Sequence, residues 1–83
     1  MAIVDYSYGS TQDLDVYNTL LKAKRGLKAK MEEIIAEGSI TEKPSTIRKM
    51  FRENDKMFFD IDQLDGFGMM QCAHGYILER NVL

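Results

Sequence analysis

The feature that most constrains the fold of this chain is a series of apolar residues at helical spacing in its first half. They recur at intervals of three and four residues, which places them on one helix face. These residues are Val16, Leu20, Ala23, Leu27, Met31 and Ile34. Ser10 and Thr11 are suitable N-caps, and Gly38 is a suitable stop. The pattern predicts a first helix over residues 11–37, which is long for a chain of 83 residues.

A second stretch is more strongly amphipathic. At about 100° per residue its apolar and basic residues occupy nearly opposite arcs. The apolar arc holds Ile47, Met50, Phe51, Asn54, Phe58 and Ile61, and the basic arc holds Ser45, Arg48, Lys49, Arg52 and Lys56. Pro44 suits the first turn of a helix. We therefore predict a second helix over residues 45–63, after a linker over residues 38–44.

The two ends of the chain are less regular. Residues 1–9 are rich in β-prone side chains and predict an N-terminal arm or a short strand. Residues 68–80 have helical spacing and favour a short third helix, with a terminal strand near Tyr76 that pairs with residues 2–8 as the alternative. The expected fold is mainly α: one small domain over residues 1–83, with two longer amphipathic helices and a short third helix or terminal strand.

Composition predicts a cytoplasmic protein. The single cysteine, Cys72, cannot form an internal disulfide, whereas small secreted domains usually need several. We see no secretory leader, and the apolar runs are far shorter than a membrane span. A domain of this size buries only about 60–65% of its unfolded surface, so a homodimer or a bound partner would add useful buried area.

Charge is unevenly distributed along the sequence. Ten of the eleven Lys and Arg residues lie between Lys22 and Lys56 together with six acids, so this stretch carries +4. The flanks carry seven acids and one base, and therefore −6. The predicted second helix bears one basic stripe, and Lys24, Arg25 and Lys28 form a second basic cluster. Such surfaces bind phosphates or acidic proteins, or are simply solvated.

Residues 36–50 resemble the recognition-helix region of winged helix-turn-helix regulators. In that family a Ser-Thr-Ile/Val-Arg run opens the helix that enters the major groove, and here the run is residues 45–48. The resemblance implies that DNA would be contacted by Ser45, Thr46, Arg48, Lys49 and Arg52. The family also has a short helix before this one, for which the seven-residue linker leaves no room.

An acidic segment resembles an EF-hand calcium loop, which needs oxygen ligands at its first, third and fifth positions and glycine at the sixth. Here the matching residues are Asp60, Asp62, Asp65 and Gly66. Leu64 displaces the last two by one position, and no glutamate stands at the twelfth. We therefore predict an acidic helix end followed by a turn rather than a calcium site.

Cys72 and His74 are the remaining residues with metal or catalytic chemistry. A zinc site needs four ligands, and the chain has no other Cys or His. On a helix, their side chains would point about 200° apart, which argues against a catalytic pair. No phosphate-binding loop, dinucleotide fingerprint or serine elbow is present. The sequence predicts no metal, no cofactor and no enzyme.

Large apolar residues near the end of the predicted second helix suggest a second interface. Phe58 and Phe59 are adjacent and cannot share one helix face, and Met57 points elsewhere again. At least one of these side chains should therefore lie off the core face, where it could contact another chain. The wider Met and Phe cluster is otherwise expected to form the core.

These features predict a small non-enzymatic protein that masks or bridges a partner protein, such as the accessory proteins or inhibitors that phages encode. The predicted partner-binding residues are Arg48, Lys49, Arg52, Lys56, Met57, Phe58 and Phe59. The alternative is a nucleic-acid-binding regulator that uses the basic face of the second helix. Its contacts would be Lys24, Arg25, Lys28, Ser45, Arg48, Lys49 and Arg52. A homo-oligomer is expected, as a homodimer through the Met and Phe region, and no membrane contact is expected.

Overall fold

The computed structural model describes residues 1–8, 11–64 and 67–79. In chain order the elements are β1 (Ala2–Tyr8), β2 (Thr11–Tyr17), α1 (Leu20–Glu37), α2 (Pro44–Glu53), β3 (Phe58–Leu64) and β4 (Met70–Glu79). The strands form one antiparallel sheet in the order β2-β1-β4-β3. Both helices pack on one face of this sheet. The fold is α+β, so the predicted mainly α, all-α domain is wrong.

The first helix is shorter than predicted because its first seven residues form strand β2. Residues 13–16 alternate acid and apolar, which is the period of a strand rather than of a helix. Thr19 caps α1: its backbone is extended and its hydroxyl accepts a hydrogen bond from the Lys22 amide at 3.2 Å. The helix ends at Gly38, as predicted, where φ is 86°.

The second helix also ends early, at Glu53 instead of residue 63. The Asn54 side chain donates to the Met50 carbonyl at 2.9 Å, and Asp55 and Lys56 then adopt left-handed φ values of 57° and 59°. This reverses the chain into β3. In β3 the buried residues are Phe59, Ile61 and Gln63, which alternate with side chains on the other face.

Residues 70–79 form strand β4, so the favoured third helix is wrong. The strand pairs with β1 from Ala2 opposite Glu79 to Tyr8 opposite Ala73, which is the alternative pairing with residues 2–8. Its buried residues are Ala73, Gly75 and Ile77. A Cβ atom at position 75 would lie 2.6 Å from Leu27 Cδ1, so glycine allows α1 to approach the sheet closely.

The hydrophobic core lies between the two helices and the inner face of the sheet. It contains Ala2, Val4, Ala23, Leu27, Met31, Ile34, Ile47, Phe51, Phe59, Ile61, Ala73 and Ile77. Within the described ranges, neither helix is long and apolar enough to span a membrane. The predicted cap Ser10, the arm end Gly9, and the turn residues Asp65 and Gly66 lie outside the described residues.

Candidate functional site

The outer face of the sheet, defined as the side turned away from both helices, is uncovered in the described part of the chain. Alternate residues of each strand project from it. Seven large apolar side chains there are between 37 and 62% exposed: Leu14, Val16, Phe58, Leu64, Met70, Tyr76 and Leu78. Monomeric proteins seldom expose extended apolar patches without a use for them.

Strand register arranges the outer face into apolar rows on either side of a polar centre. At one end, Val16, Ile3 and Leu78 lie side by side across three strands. At the opposite end, Leu64 faces Met70. The polar centre contains two cross-strand pairs, in which Asp60 faces His74 and Asp62 faces Cys72.

A buried carboxylate ties three strands together beside this centre. Asp5 on β1 accepts hydrogen bonds from the Gln12 amide at 3.0 and 3.2 Å and from the Tyr76 hydroxyl at 2.7 Å. These donors, Gln12 first, hold the pKa of Asp5 below its usual value. The hydrogen bond from the Tyr76 hydroxyl to Asp5 also raises the pKa of Tyr76. The network fixes these side chains across β2, β1 and β4.

The polar centre contains three potential metal ligands. Ligand atoms of Asp60, Cys72 and His74 all lie within 4.8 Å of one another, on exposed side chains. The Cys72 thiol donates to Asp60 Oδ1 at 2.8 Å. This hydrogen bond, then burial and the charges of Asp60 and Asp62, raise the pKa of Cys72 to about 11. Cys72 is therefore a protonated thiol at neutral pH and a poor nucleophile.

The predicted angular separation of Cys72 and His74 does not hold, because β4 is a strand. Residues two apart on a strand project from the same face, whereas on a helix they diverge. Asp60 and Asp62 also lie on a strand, not at the predicted acidic helix end or in a calcium loop. The sequence signal that was missed is a period of two: Asp60 and Asp62 on β3, and Cys72 and His74 on β4, alternate with residues that the structure buries.

On the helical side of the sheet, the two predicted basic clusters form one continuous surface. A groove of about 350 Å³ is lined by Leu21, Lys24, Arg25, Lys28, Asp55 and Lys56. A second, of about 100 Å³, is lined by Lys28, Met31, Arg48, Phe51, Arg52 and Lys56. The two share Lys28 and Lys56, so α1 and α2 contribute to the same basic surface.

Some of the cations in these grooves are already paired. Lys24 Nζ lies 3.4 Å from Asp55 Oδ2. Arg48 donates two hydrogen bonds to the Glu32 carboxylate, at 2.9 and 2.8 Å, and these lower the pKa of Glu32 and raise that of Arg48. Four of the six cations that line the grooves make no ion pair with another described residue: Arg25, Lys28, Arg52 and Lys56.

The other predicted site residues are dispersed. Lys49 is exposed and lies 3.9 Å from Glu53, and Ser45 is exposed in the first turn of α2. Phe58 lies on the outer face at 45% exposed, Phe59 lies in the core at 4%, and Met57 is half-buried against the core. The structure therefore separates the aromatic and basic residues that were predicted to contact one partner.

Comparisons of this chain with protein-family models, with curated proteins and with solved structures find no match.

Proposed function

We propose that this chain is a small non-enzymatic binding protein that engages a partner protein through the outer face of its sheet. The observation that carries the proposal is the pair of apolar ends, with Val16, Ile3 and Leu78 at one and Leu64 and Met70 at the other. The same face exposes Phe58, Tyr76 and Met70, and aromatic and Met side chains are enriched in interface cores. A Cys72 pKa near 11 is unsuited to nucleophilic catalysis.

Bridging two partners fits this shape better than masking one. The outer face and the basic grooves lie on opposite sides of the sheet, so one flat partner cannot cover both. A partner on the outer face would contribute apolar side chains, with cations or hydrogen-bond donors opposite Asp60 and Asp62. A partner at the grooves would be acidic. We further propose an accessory or inhibitor role in a reducing cytoplasm, where the exposed Cys72 thiol would persist.

The test is co-purification of the tagged full chain from its host lysate, followed by titration of the partner identified. Phe58→Asp and Leu78→Asp place charges on the outer face, and Leu21→Asp, at a residue that is 60% exposed on α1 on the other side of the sheet, is the matched control. We expect at least a tenfold weaker affinity for the two sheet variants and unchanged affinity for the control. Normal binding by both sheet variants, with normal circular dichroism, would refute the proposal.

A second copy of the chain is another possible occupant of the outer face. Light scattering on the purified protein separates the two cases, because self-association would persist without any other protein. If the sheet variants convert a dimer to a monomer and no partner binds, the outer face serves self-association and the partner proposal is wrong.

A nucleic-acid-binding regulator is the second candidate, favoured by the convergence of both basic clusters on the joined grooves. Its contacts would be the groove cations that lack an ion pair: Arg25, Lys28, Arg52 and Lys56. Four phosphate contacts predict a slope of about −3 to −4 for log affinity against log salt. Removing the four charges should abolish binding, whereas Lys22→Ala/Lys43→Ala outside the grooves should change it little. A flat salt dependence would exclude this candidate.

A further inference from the structure

The polar centre of the outer face has the arrangement of a metal site that neither the fold class nor the proposed function requires. Asp60 faces His74 and Asp62 faces Cys72, so four potential ligands occupy adjacent positions on two paired strands. Cross-strand neighbours have Cβ atoms about 4.5–5.5 Å apart. The four side chains project from the same face of β3 and β4, so they can converge on one point above the sheet without any change in the backbone.

We propose that Asp60, Cys72 and His74 bind a divalent transition-metal ion, with Zn²⁺ the best match to the ligands. Thiolate, imidazole and carboxylate together suit zinc, whereas magnesium and calcium prefer oxygen ligands alone. No metal was predicted from the sequence because only Cys and His were considered as zinc ligands. Here two ligands would come from β4, and a carboxylate would come from β3.

Distances in the cluster are close to those that zinc requires. Zinc bonds of about 2.0–2.3 Å at tetrahedral angles place ligand atoms roughly 3.3–3.6 Å apart. The present ligand atoms of Asp60, Cys72 and His74 lie within 4.8 Å of one another. All three side chains are exposed, so small rotations suffice to close the difference. Asp62, opposite Cys72, is placed to supply the fourth ligand or to hold a water molecule there.

A proton now joins two of the proposed ligands. The Cys72 thiol donates to Asp60 Oδ1 at 2.8 Å, so its hydrogen lies between the sulfur and oxygen that would both ligate the ion. On binding, the S–H bond breaks, a metal–sulfur bond forms and the proton leaves to solvent. The carboxylates of Asp60 and Asp62 add negative potential, which favours a cation at this position.

The site also has room for a further ligand. An open depression of about 400 Å³ borders it, lined by residues 57–60 and 74–77. Phe58 and Tyr76 lie beside Asp60 and His74 on the same face. A metal with one water-occupied position would therefore be accessible from solvent rather than enclosed, as in zinc sites that exchange a ligand.

The test is calorimetric titration of ZnCl₂ into the reduced 83-residue chain, with Co²⁺ as a spectroscopic probe of sulfur ligation. We expect one ion per chain and a thiolate-to-cobalt charge-transfer band. Cys72→Ser should remove the band, and Cys72→Ser, His74→Ala and Asp60→Asn should each weaken Zn²⁺ binding at least tenfold. Asp13→Asn, at an exposed acid on β2, is the matched control and should bind like the unaltered chain.

Two results would overturn the proposal: no saturable binding of one ion per chain, or unchanged affinity in the Cys72→Ser/His74→Ala double variant. Circular dichroism of each variant shows whether it has folded, and Cys72→Ser is nearly isosteric at an exposed position. Because the titration contains no other protein, its outcome does not depend on the proposed function. A metal-free chain could still bind a partner, and a metal-binding chain could lack one.

Discussion

Gly75→Ala is the substitution that tests the fold most directly. Gly75 is buried on β4 where α1 crosses the sheet, and an added Cβ would lie 2.6 Å from Leu27 Cδ1 and 3.0 Å from Phe59 Cε1. Leu27 and Phe59 are 0 and 4% exposed, so neither has free space into which to move. The helix would have to lift from the sheet or these side chains would have to leave their rotamers.

The magnitude follows from two opposing effects. Overpacking a filled core costs about 1–3 kcal/mol. Replacing a glycine in a strand returns about 0.5–1 kcal/mol, because the unfolded chain loses freedom. Since two buried side chains are contacted at once, we expect a net loss of about 1–2 kcal/mol in the free energy of unfolding. For a domain of this size, that lowers the melting temperature by roughly 4–16 °C.

Gly26→Ala is the matched control, because the same methyl group is added to the same domain. Its Cβ would overlap the ring of Tyr17, which is half-buried at the sheet edge and can swing into solvent. The helix gains about 1 kcal/mol from alanine, which offsets the lost packing of Tyr17. We therefore expect a change of less than about 1 kcal/mol in either direction.

Urea unfolding followed by circular dichroism measures both variants, with the slope of the transition as a check on two-state behaviour. The expected order of stability is unaltered chain close to Gly26→Ala, and Gly75→Ala clearly below both. If Gly75→Ala were as stable as the unaltered chain, position 75 would not face α1, and the packing of the helix on β4 would be wrong.

Three further predictions concern single side chains. Asp60→Ala removes the hydrogen-bond acceptor that is the largest cause of the raised Cys72 pKa, so the pKa should fall from about 11 and alkylation at mildly alkaline pH should accelerate, as read from a pH–rate profile. Arg48→Ala should lower the free energy of unfolding only slightly at neutral pH, because the pair with Glu32 is partly exposed. The Glu32 pKa is lowered in the folded state, so the pair stabilises above the ordinary value of 4.5 and the difference between the two proteins should vanish in acid. Lys56→Gly should raise the unfolding free energy by up to about 1 kcal/mol in urea melts, because φ at this residue is 59° and glycine adopts it without strain; a destabilised variant would contradict this.

The body and the end of α1 could be predicted because the apolar period and the stop residue both match the structure. Ala23, Leu27, Met31 and Ile34 satisfy the helical period and all four are buried, and Gly38 ends the helix as its conformational freedom allows. The helical period alone could not locate the first residue of α1, because Val16 fits that period although it lies on β2. The cap at Thr19 decides the boundary, and a capping threonine at that position is visible in the sequence.

Strands β2 and β3 were missed, whereas β1 was predicted as an arm or short strand, and a strand near Tyr76 was the alternative to the third helix. In β3 a buried polar residue, Gln63, occupies an inward position, and in β4 the inward positions include Gly75 and the small Ala73. Hydrophobic periodicity is weak where the inward residues are small or polar. At Gly75 the small residue is required by the close approach of α1, a tertiary constraint that no local sequence window contains.

The cluster of Asp60, Cys72 and His74 was not predicted because residues 58–63 and 70–79 were read with the helical period instead of the strand period. If residues 58–64 and 70–79 are read as the two strands of a hairpin centred on Phe67, each residue pairs with the residue at the same sequence distance on the other side of Phe67. Asp60 must then face His74, and Asp62 must face Cys72, which is the observed register. Glycines near the centre favour such a turn, and ligand-type residues stand at alternate positions on both sides of it. A search for ligands among Cys and His alone does not find this cluster, because the paired strand β3 contributes carboxylates.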